Sequence, residues 1–252
     1  MTEIYLTKMI LNPKCPQVRC DLGNPQELHR TVSKGFPESE NQEHLPKHLR
    51  ETPRNKFNIL HRLEVDKHRG KAVLLVQSTI NPDWSFLPRD YADEIKQRSV
   101  HEQYGSIENG MTLMFRLQAN PTKRIGKNYQ HPDEKKREEF TRKFRDDKNR
   151  RRISMNTDED RIEWLKRKGE EVGFQLANVK VAPIPNVASV EEGKLNFRKE
   201  RNLPNITFGS VVFEGVLQVT DSDNFRKALE KGIGTGKAYG FGLLSIAKNF
   251  GP

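Results

Sequence analysis

Apolar and polar positions divide the chain into short, readable runs. Ile4 to Leu11 is rich in branched and aromatic side chains and is stopped by Asn12-Pro13, which predicts a strand. After a loop, Asn24-Pro25-Gln26-Glu27 predicts the start of a helix. Asn24 suits the N-cap, Pro25 the first helical position, and Glu27 the acidic place of a capping box. Leu28, Val32 and Phe36 recur every four residues and predict a core-facing stripe, leaving His29, Arg30, Ser33 and Lys34 on the other faces. Gly35 and Pro37 end the helix. Lys56 to Val65 and Lys71 to Thr79 read as an antiparallel hairpin around His68-Arg69-Gly70. Pro88 to Ile95 reads as a short helix and Arg98 to Gln103 as a final strand. The order is then β-α-β-β-α-β, the ferredoxin-like arrangement.

The same order recurs downstream. Tyr104 to Gly110 reads as a linker, and Met111 to Ala119 as a strand stopped by Asn120-Pro121. Thr157-Asp158-Glu159-Asp160 caps a helix reaching about Val172, with Ile162, Leu165 and Gly169 on one stripe. Phe174 to Ala182 and Ser210 to Val219 read as strands with a basic arm between them. Phe225 to Lys231 reads as a short helix and Phe241 to Ala247 as the last strand. The fold class expected is α+β, with two tandem ferredoxin-like (βαββαβ) domains, residues 1–105 and 110–252, and a basic insertion in the second. The repeat lies in element order, not in residue identity.

A chain of 252 residues is long enough for two such cores. Its 44 basic residues against 34 acidic ones leave +10. That excess suits a polyanionic partner, since each phosphate neutralised releases counterions; a merely soluble basic protein is the other reading. The excess is concentrated: Lys123 to Arg152 holds 13 Lys or Arg and 6 Asp or Glu, or +7. With few bulky apolar side chains, that stretch reads as a solvated loop or exposed helix that adds affinity without specificity. Cys15 and Cys20 are too few for a disulfide framework, and no Cys/His set completes a zinc site. The N-terminus lacks the features of a signal peptide, and no apolar run reaches the length of a membrane span, so the cytosol is the compartment expected.

Five glycines fall in the eleven residues Gly232-Ile233-Gly234-Thr235-Gly236-Lys237-Ala238-Tyr239-Gly240-Phe241-Gly242. Dinucleotide and P-loop motifs place a strand before the glycines and a helix after them. Here a helix precedes and a strand follows, and Ala238 stands where a P-loop needs Ser or Thr, so both motifs are excluded. Two readings remain. The bare amides of a flexible turn, with Lys237, can approach a phosphodiester backbone closely, or the glycines simply let the helix turn into the last strand.

Four segments are together similar to one family. They are Tyr5-Leu6-Thr7-Lys8, Phe115 through Pro121, Ile162-Glu163-Trp164-Leu165, and the stretch from Gly215-Val216-Leu217 through the glycine turn to Leu243-Leu244-Ser245. In that order they resemble the CasE family, the repeat-specific endoribonucleases of type I-E CRISPR systems, within the RAMP group. The resemblance implies two ferredoxin-like domains, binding of the CRISPR repeat hairpin, and cutting of precursor CRISPR RNA at the hairpin's 3′ base. It implies retention on the guide RNA beside the other Cascade subunits, as a protein that is a monomer when free and has no membrane partner. No metal or other cofactor is expected. The 2′-hydroxyl beside the scissile phosphate is the nucleophile, leaving a cyclic phosphate and a 5′-hydroxyl.

Such chemistry needs a base, an acid, and positive charge for the phosphorane. Among seven histidines, His29 in Leu28-His29-Arg30-Thr31-Val32-Ser33-Lys34 matches the family's catalytic helix; taken without the resemblance, it reads as a surface histidine. Lys34 matches a family lysine near the site, able to stabilise the charged transition state or to serve as a solvated helix-end cation. Gln26 stands where family members often carry a tyrosine, and a glutamine can orient a phosphate or hydroxyl but cannot donate a proton as a phenol does. Arg30, Ser33, Gly234, Gly236 and Lys237 are further candidates for RNA contact. The arm Asn196-Phe197-Arg198-Lys199-Glu200-Arg201 matches a basic hairpin that the family lays on the RNA stem, so Arg198, Lys199 and Arg201 are expected to meet phosphates. A repeat-binding subunit that does not cut is the alternative function.

Overall fold

The structure is a computed structural model describing residues 3–38, 52–66, 69–125, 151–183, 194–197 and 206–248. Its first half contains β1 (Tyr5–Leu11), α1 (Pro16–Gly23), α2 (Pro25–Lys34), α3 (Pro53–Lys56), β2 (Leu60–Asp66), β3 (Lys71–Ser78), β4 (Ala92–Ser99) and α4 (His101–Gly105). The four strands form one sheet in the order β2-β3-β1-β4, each neighbour antiparallel. That is the strand order of a ferredoxin-like unit. Met9, Leu11, Leu74 and Val76 of the sheet bury against Val18 of α1 and Leu28 and Val32 of α2.

Three local expectations in this half are corrected. The loop before Asn24 holds α1, opened by Pro16 and held by the buried Val18 and Asp21; two buried positions in eight residues give too little periodicity to read. The strand read from Lys56 starts later. The Thr52 side chain caps α3 by accepting from the Asn55 N–H, and Asn58 then takes a left-handed turn (φ 48°), so β2 begins at Leu60. The helix read over Pro88–Ile95 and the strand over Arg98–Gln103 are replaced by β4, an edge strand, followed by α4. Edge strands carry charge to discourage further pairing, and the charges of Asp93-Glu94-Ile95-Lys96-Gln97-Arg98 mimic a helix surface. Residues 79–91 therefore connect β3 to β4 without a helix, and Tyr91 plugs the core in its place.

The second half runs β5 (Thr112–Ala119), β6 (Thr122–Ile125), β7 (Arg151–Ser154), α5 (Asp158–Val172), β8 (Phe174–Pro183), β9 (Lys194–Phe197), β10 (Ile206–Gly209), β11 (Val211–Val219), α6 (Ser222–Lys231) and β12 (Leu244–Lys248). Its main sheet has the order β12-β5-β11-β8, again antiparallel throughout. Leu117, Phe213 and Leu217 of the sheet pack on Trp164 and Leu165 of α5 and on Phe225 and Leu229 of α6. Two hairpins leave this sheet. β6 pairs with β7 at the base of the basic insertion, and β9 pairs with β10 at the base of the basic arm. Residues 126–150 of the insertion, and Arg198, Lys199 and Arg201 of the arm, lie outside the described residues.

The halves interlock. Ile4, Val100, Tyr104 and Ile107 bury in the second core, so the stretch read as a linker contributes side chains to it. The Tyr104 hydroxyl donates to Gln77 Oε1 at 2.9 Å, and Gln77 Nε2 donates to the Leu229 carbonyl at 2.7 Å. Side chains alternate across a strand. Along β2, Leu60 and Arg62 therefore face the second half, and His61 faces α2.

Candidate active site

The glycine-rich turn packs against both α2 and β2, and this junction gathers the chemically active side chains. α2 starts as its residues dictate: Asn24 Oδ1 accepts from the Gln26 N–H at 3.0 Å, with Pro25 at the first helical position. Helical spacing puts Gln26, His29 and Ser33 on one face. The Ser33 hydroxyl donates to the His29 carbonyl at 2.8 Å, which occupies it within the helix.

Beneath His29 lies His61. The two imidazole rings are nearly parallel, 16° apart, with centroids separated by 6.4 Å. His61 is 1% exposed, and its Nε2 has no hydrogen-bond partner among the described residues. Burial, reinforced by the charges of His29 and Arg54, drives its pKa down to about 3, so it is neutral. His29 is also pushed below the usual histidine range, first by burial and then by Arg54 and Arg30. At neutral pH it is an unprotonated imidazole, a form that accepts a proton.

Positive charge surrounds it. Arg54 comes from α3, and Lys237 from a 3-10 turn over Lys237–Tyr239 in the glycine-rich segment. Burial lowers the pKa of Lys237, and Arg54 and Lys231 lower it further. Its ammonium donates to the Lys231 carbonyl, which fixes the side chain. Arg30 pairs with Glu27 one turn away on the exposed side of α2. The arrangement therefore offers a neutral base beside cations able to hold a phosphate's non-bridging oxygens.

The glycine-rich turn is packed rather than loose. Its five glycines adopt φ between 74° and 90°. Gly242 is walled in, since a Cβ there would lie 2.8 Å from the Ile233 carbonyl oxygen. At Gly240 a Cβ would lie 3.7 Å from His61 Nε2 and Cδ2, so this part of the turn borders that ring. Ile233 and Phe241 are buried. Gly234, Gly236 and Lys237 remain half-exposed, with Lys237 linked to the histidines through Arg54, which acts on all three.

The other expected residues are spread more widely. Gln26 lies one turn before His29, its Oε1 buried and without a partner among the described residues. Lys34 is exposed near α1, where its charge acts on the buried carboxyl of Asp21; helical spacing turns it well away from His29. Arg54 and His61 were missed by sequence reasoning. Arg54 follows a Thr-Pro helix start just before the run read as strand from Lys56, in a stretch given no element. His61 gave one available signal, a polar residue at an inward position of a strand. No helix among the described residues is long and apolar enough to cross a membrane.

Comparison with known proteins supplies the context for this site. Residues 4–248 match the family described as CRISPR associated protein. Over 248 residues, 97% of this chain and all of the relative, the sequence is 31% identical to the CRISPR-associated endoribonuclease Cse3 of Thermus thermophilus. It is also 31% identical, over 62% of this chain and 66% of the relative, to the CRISPR system Cascade subunit CasE of Escherichia coli strain K12. The structure of Thermus thermophilus Cse3 bound to an RNA representing a pre-cleavage complex matches with a TM-score of 0.70 and 30% identity, covering 97% of this chain and 99% of that one. Cas6e from Escherichia coli K-12 shares the fold at a TM-score of 0.59 and 24% identity, over 97% of this chain and 99% of that one. A match of this length, on a pair of ferredoxin-like sheets with a cation-lined histidine at their junction, places the chain in the CasE family of type I-E CRISPR-associated proteins.

Proposed function

We propose that this protein binds the hairpin of CRISPR repeat RNA, cuts precursor CRISPR RNA at the hairpin's 3′ base, and stays on the mature guide as a Cascade subunit. The observation that carries the reading is His29, neutral beside Arg54 and Arg30, with Arg54 also acting on Lys237, in a chain alignable over 97% of its length with a named CRISPR endoribonuclease. His29 takes the proton of the 2′-hydroxyl. The O2′–P bond forms, the P–O5′ bond breaks, and the leaving oxygen gains a proton from an acid or from water. Arg54 and Lys237 carry the phosphorane's charge. Lys34 is too far around the helix for that part and serves the approaching backbone, while Gln26 orients a hydroxyl or phosphate.

Arg30, Ser33, Gly234, Gly236 and the arm residues Arg198, Lys199 and Arg201 complete the proposed RNA contacts. The two units proposed are residues 1–105, with the catalytic helix, and 110–252, with the basic arm and the glycine turn. The protein works in the cytoplasm, as a monomer when free, and needs no metal. A repeat-binding subunit that does not cut gains some support from Gln26, which cannot donate a proton as a phenol would.

The test is cleavage of a cognate repeat hairpin in EDTA. Wild type cuts, and His29→Ala loses at least about 100-fold in rate while its RNA affinity stays within a few fold. A wild type that binds the hairpin without cutting it favours the binding subunit. An active His29→Ala removes His29 as the base.

A further inference from the structure

We infer that His61 is a positioning residue for His29: a neutral imidazole, sealed beneath α2, whose ring sets the plane of the His29 ring and keeps a further cation out of the site. The inference rests on the reading of His29 as the proton acceptor. Three observations converge on it. The rings are nearly parallel at 6.4 Å, within the range of offset stacking. His61 is held in place, since its backbone pairs with Val76 in the sheet and its side chain is sealed from solvent, with the turn at Gly240 bordering its Nε2 edge. Buried on a paired strand, it presents its ring face to His29 of α2.

The electrostatic surroundings explain why the ring must stay uncharged. The cations acting on the histidine pair are Arg30 from α2 and Arg54 from α3, and Arg54 acts on His29, on His61 and on Lys237 of the glycine turn. Glu27, on the exposed side of α2, is paired with Arg30. A protonated His61 would add a charge that no group acting on it among the described residues balances. It would also raise the cost of protonating His29 further, shifting the base away from its working range. The unpartnered Nε2 fits a ring that is used for its plane and its neutrality, not for a hydrogen bond.

The ring is therefore separable from its nitrogens. His61→Phe keeps a buried, neutral plane, whereas His61→Leu fills the space without one and His61→Ala empties it. Single-turnover cleavage at saturating RNA is expected to stay within about 3-fold of wild type for His61→Phe and to fall about 10- to 100-fold for His61→Leu and His61→Ala, with hairpin affinity unchanged. Titration of the His29 ring by NMR gives a readout independent of cutting: its midpoint stays low in His61→Phe and moves toward the ordinary value in His61→Ala as water enters. Equal rates and equal His29 midpoints for the Phe and Leu variants would overturn the inference, even where His61→Ala does not fold. So would a His61→Phe variant as slow as His61→Leu, because the nitrogen would then be the working part. His29→Ala run in parallel separates the two levels: if it cuts normally the reading of the site itself fails, and if it is dead while every His61 variant is active, only this inference fails.

Discussion

A base is useful only when it is unprotonated, and the neighbours of His29 decide where that happens. Burial, Arg54 and Arg30 all disfavour the imidazolium, so its pKa in the folded protein lies below the ordinary 6.5. Cleavage by a His29 base should then rise with pH through that lowered value and be flat above it. Between pH 8 and pH 6.5 little activity is lost, and the fall comes at more acid pH. Arg54 contributes in two ways that one substitution separates. Arg54→Met removes a positive neighbour, so the His29 pKa rises and the acid limb moves to higher pH. It also removes charge from the phosphorane, lowering the plateau by about 10- to 100-fold. Rate against pH under single-turnover conditions measures both at once. A plateau loss without movement of the limb would mean that Arg54 touches RNA but does not act on His29.

Local signals were legible wherever one element's own residues determine it. α2 was readable because Asn24, Pro25 and the Leu28–Val32–Phe36 spacing are contained within a dozen residues, and the cap forms as those residues require. The six main elements of the second unit were readable for the same reason. β4 was not, because its identity comes from pairing with β1 at a sheet edge, and no residue within it announces that neighbour. The site divides along the same line: His29 belongs to a recognisable helix, but the meeting of His29 with His61 and Arg54 is made by the crossover from α2 into β2, a relation between elements. The glycine turn is the element that closes this meeting. Gly242 holds φ at 90°, and a Cβ there would lie 2.8 Å from the Ile233 carbonyl oxygen, which is backbone and has little room to yield. Gly242→Ala should cost about 1–3 kcal/mol, seen as a fall in Tm of roughly 3 to 10 °C. Since the displaced turn carries Lys237, cleavage at low temperature should fall as well. A variant with unchanged Tm and unchanged cutting would mean that the turn relaxes without consequence for the site.

At the scale of the whole molecule, the site exists because two sheets are held together across a polar seam, and Arg62 is a deeply buried member of that seam. It is 2% exposed, and its guanidinium donates to the Leu243 carbonyl and the Ser245 hydroxyl of the second unit, both at 3.0 Å, and to Glu64 of its own strand at 2.8 Å. Glu64 in turn reaches Arg116, which pairs with Glu214 at 3.2 Å. A buried guanidinium is costly by itself, but these acceptors offset its lost hydration, and burial without them would be unfavourable. Arg62→Ala leaves the acceptors at Leu243 and Ser245 short of a donor and should destabilise by about 2–4 kcal/mol. Where that loss appears is the more telling result. Ile4, Val100, Tyr104 and Ile107 belong to the first half of the chain but bury in the second core, so the second core is not complete without the first half. Unfolding should therefore remain a single transition in wild type and in Arg62→Ala, shifted down but not split, when followed by tryptophan fluorescence from Trp84 in one half and Trp164 in the other, each studied with the other replaced by Phe. Two separated transitions would show instead that the seam alone joins two independently stable units. The histidine site, with α2 and β2 on one side and the glycine turn on the other, would then come apart before either sheet did.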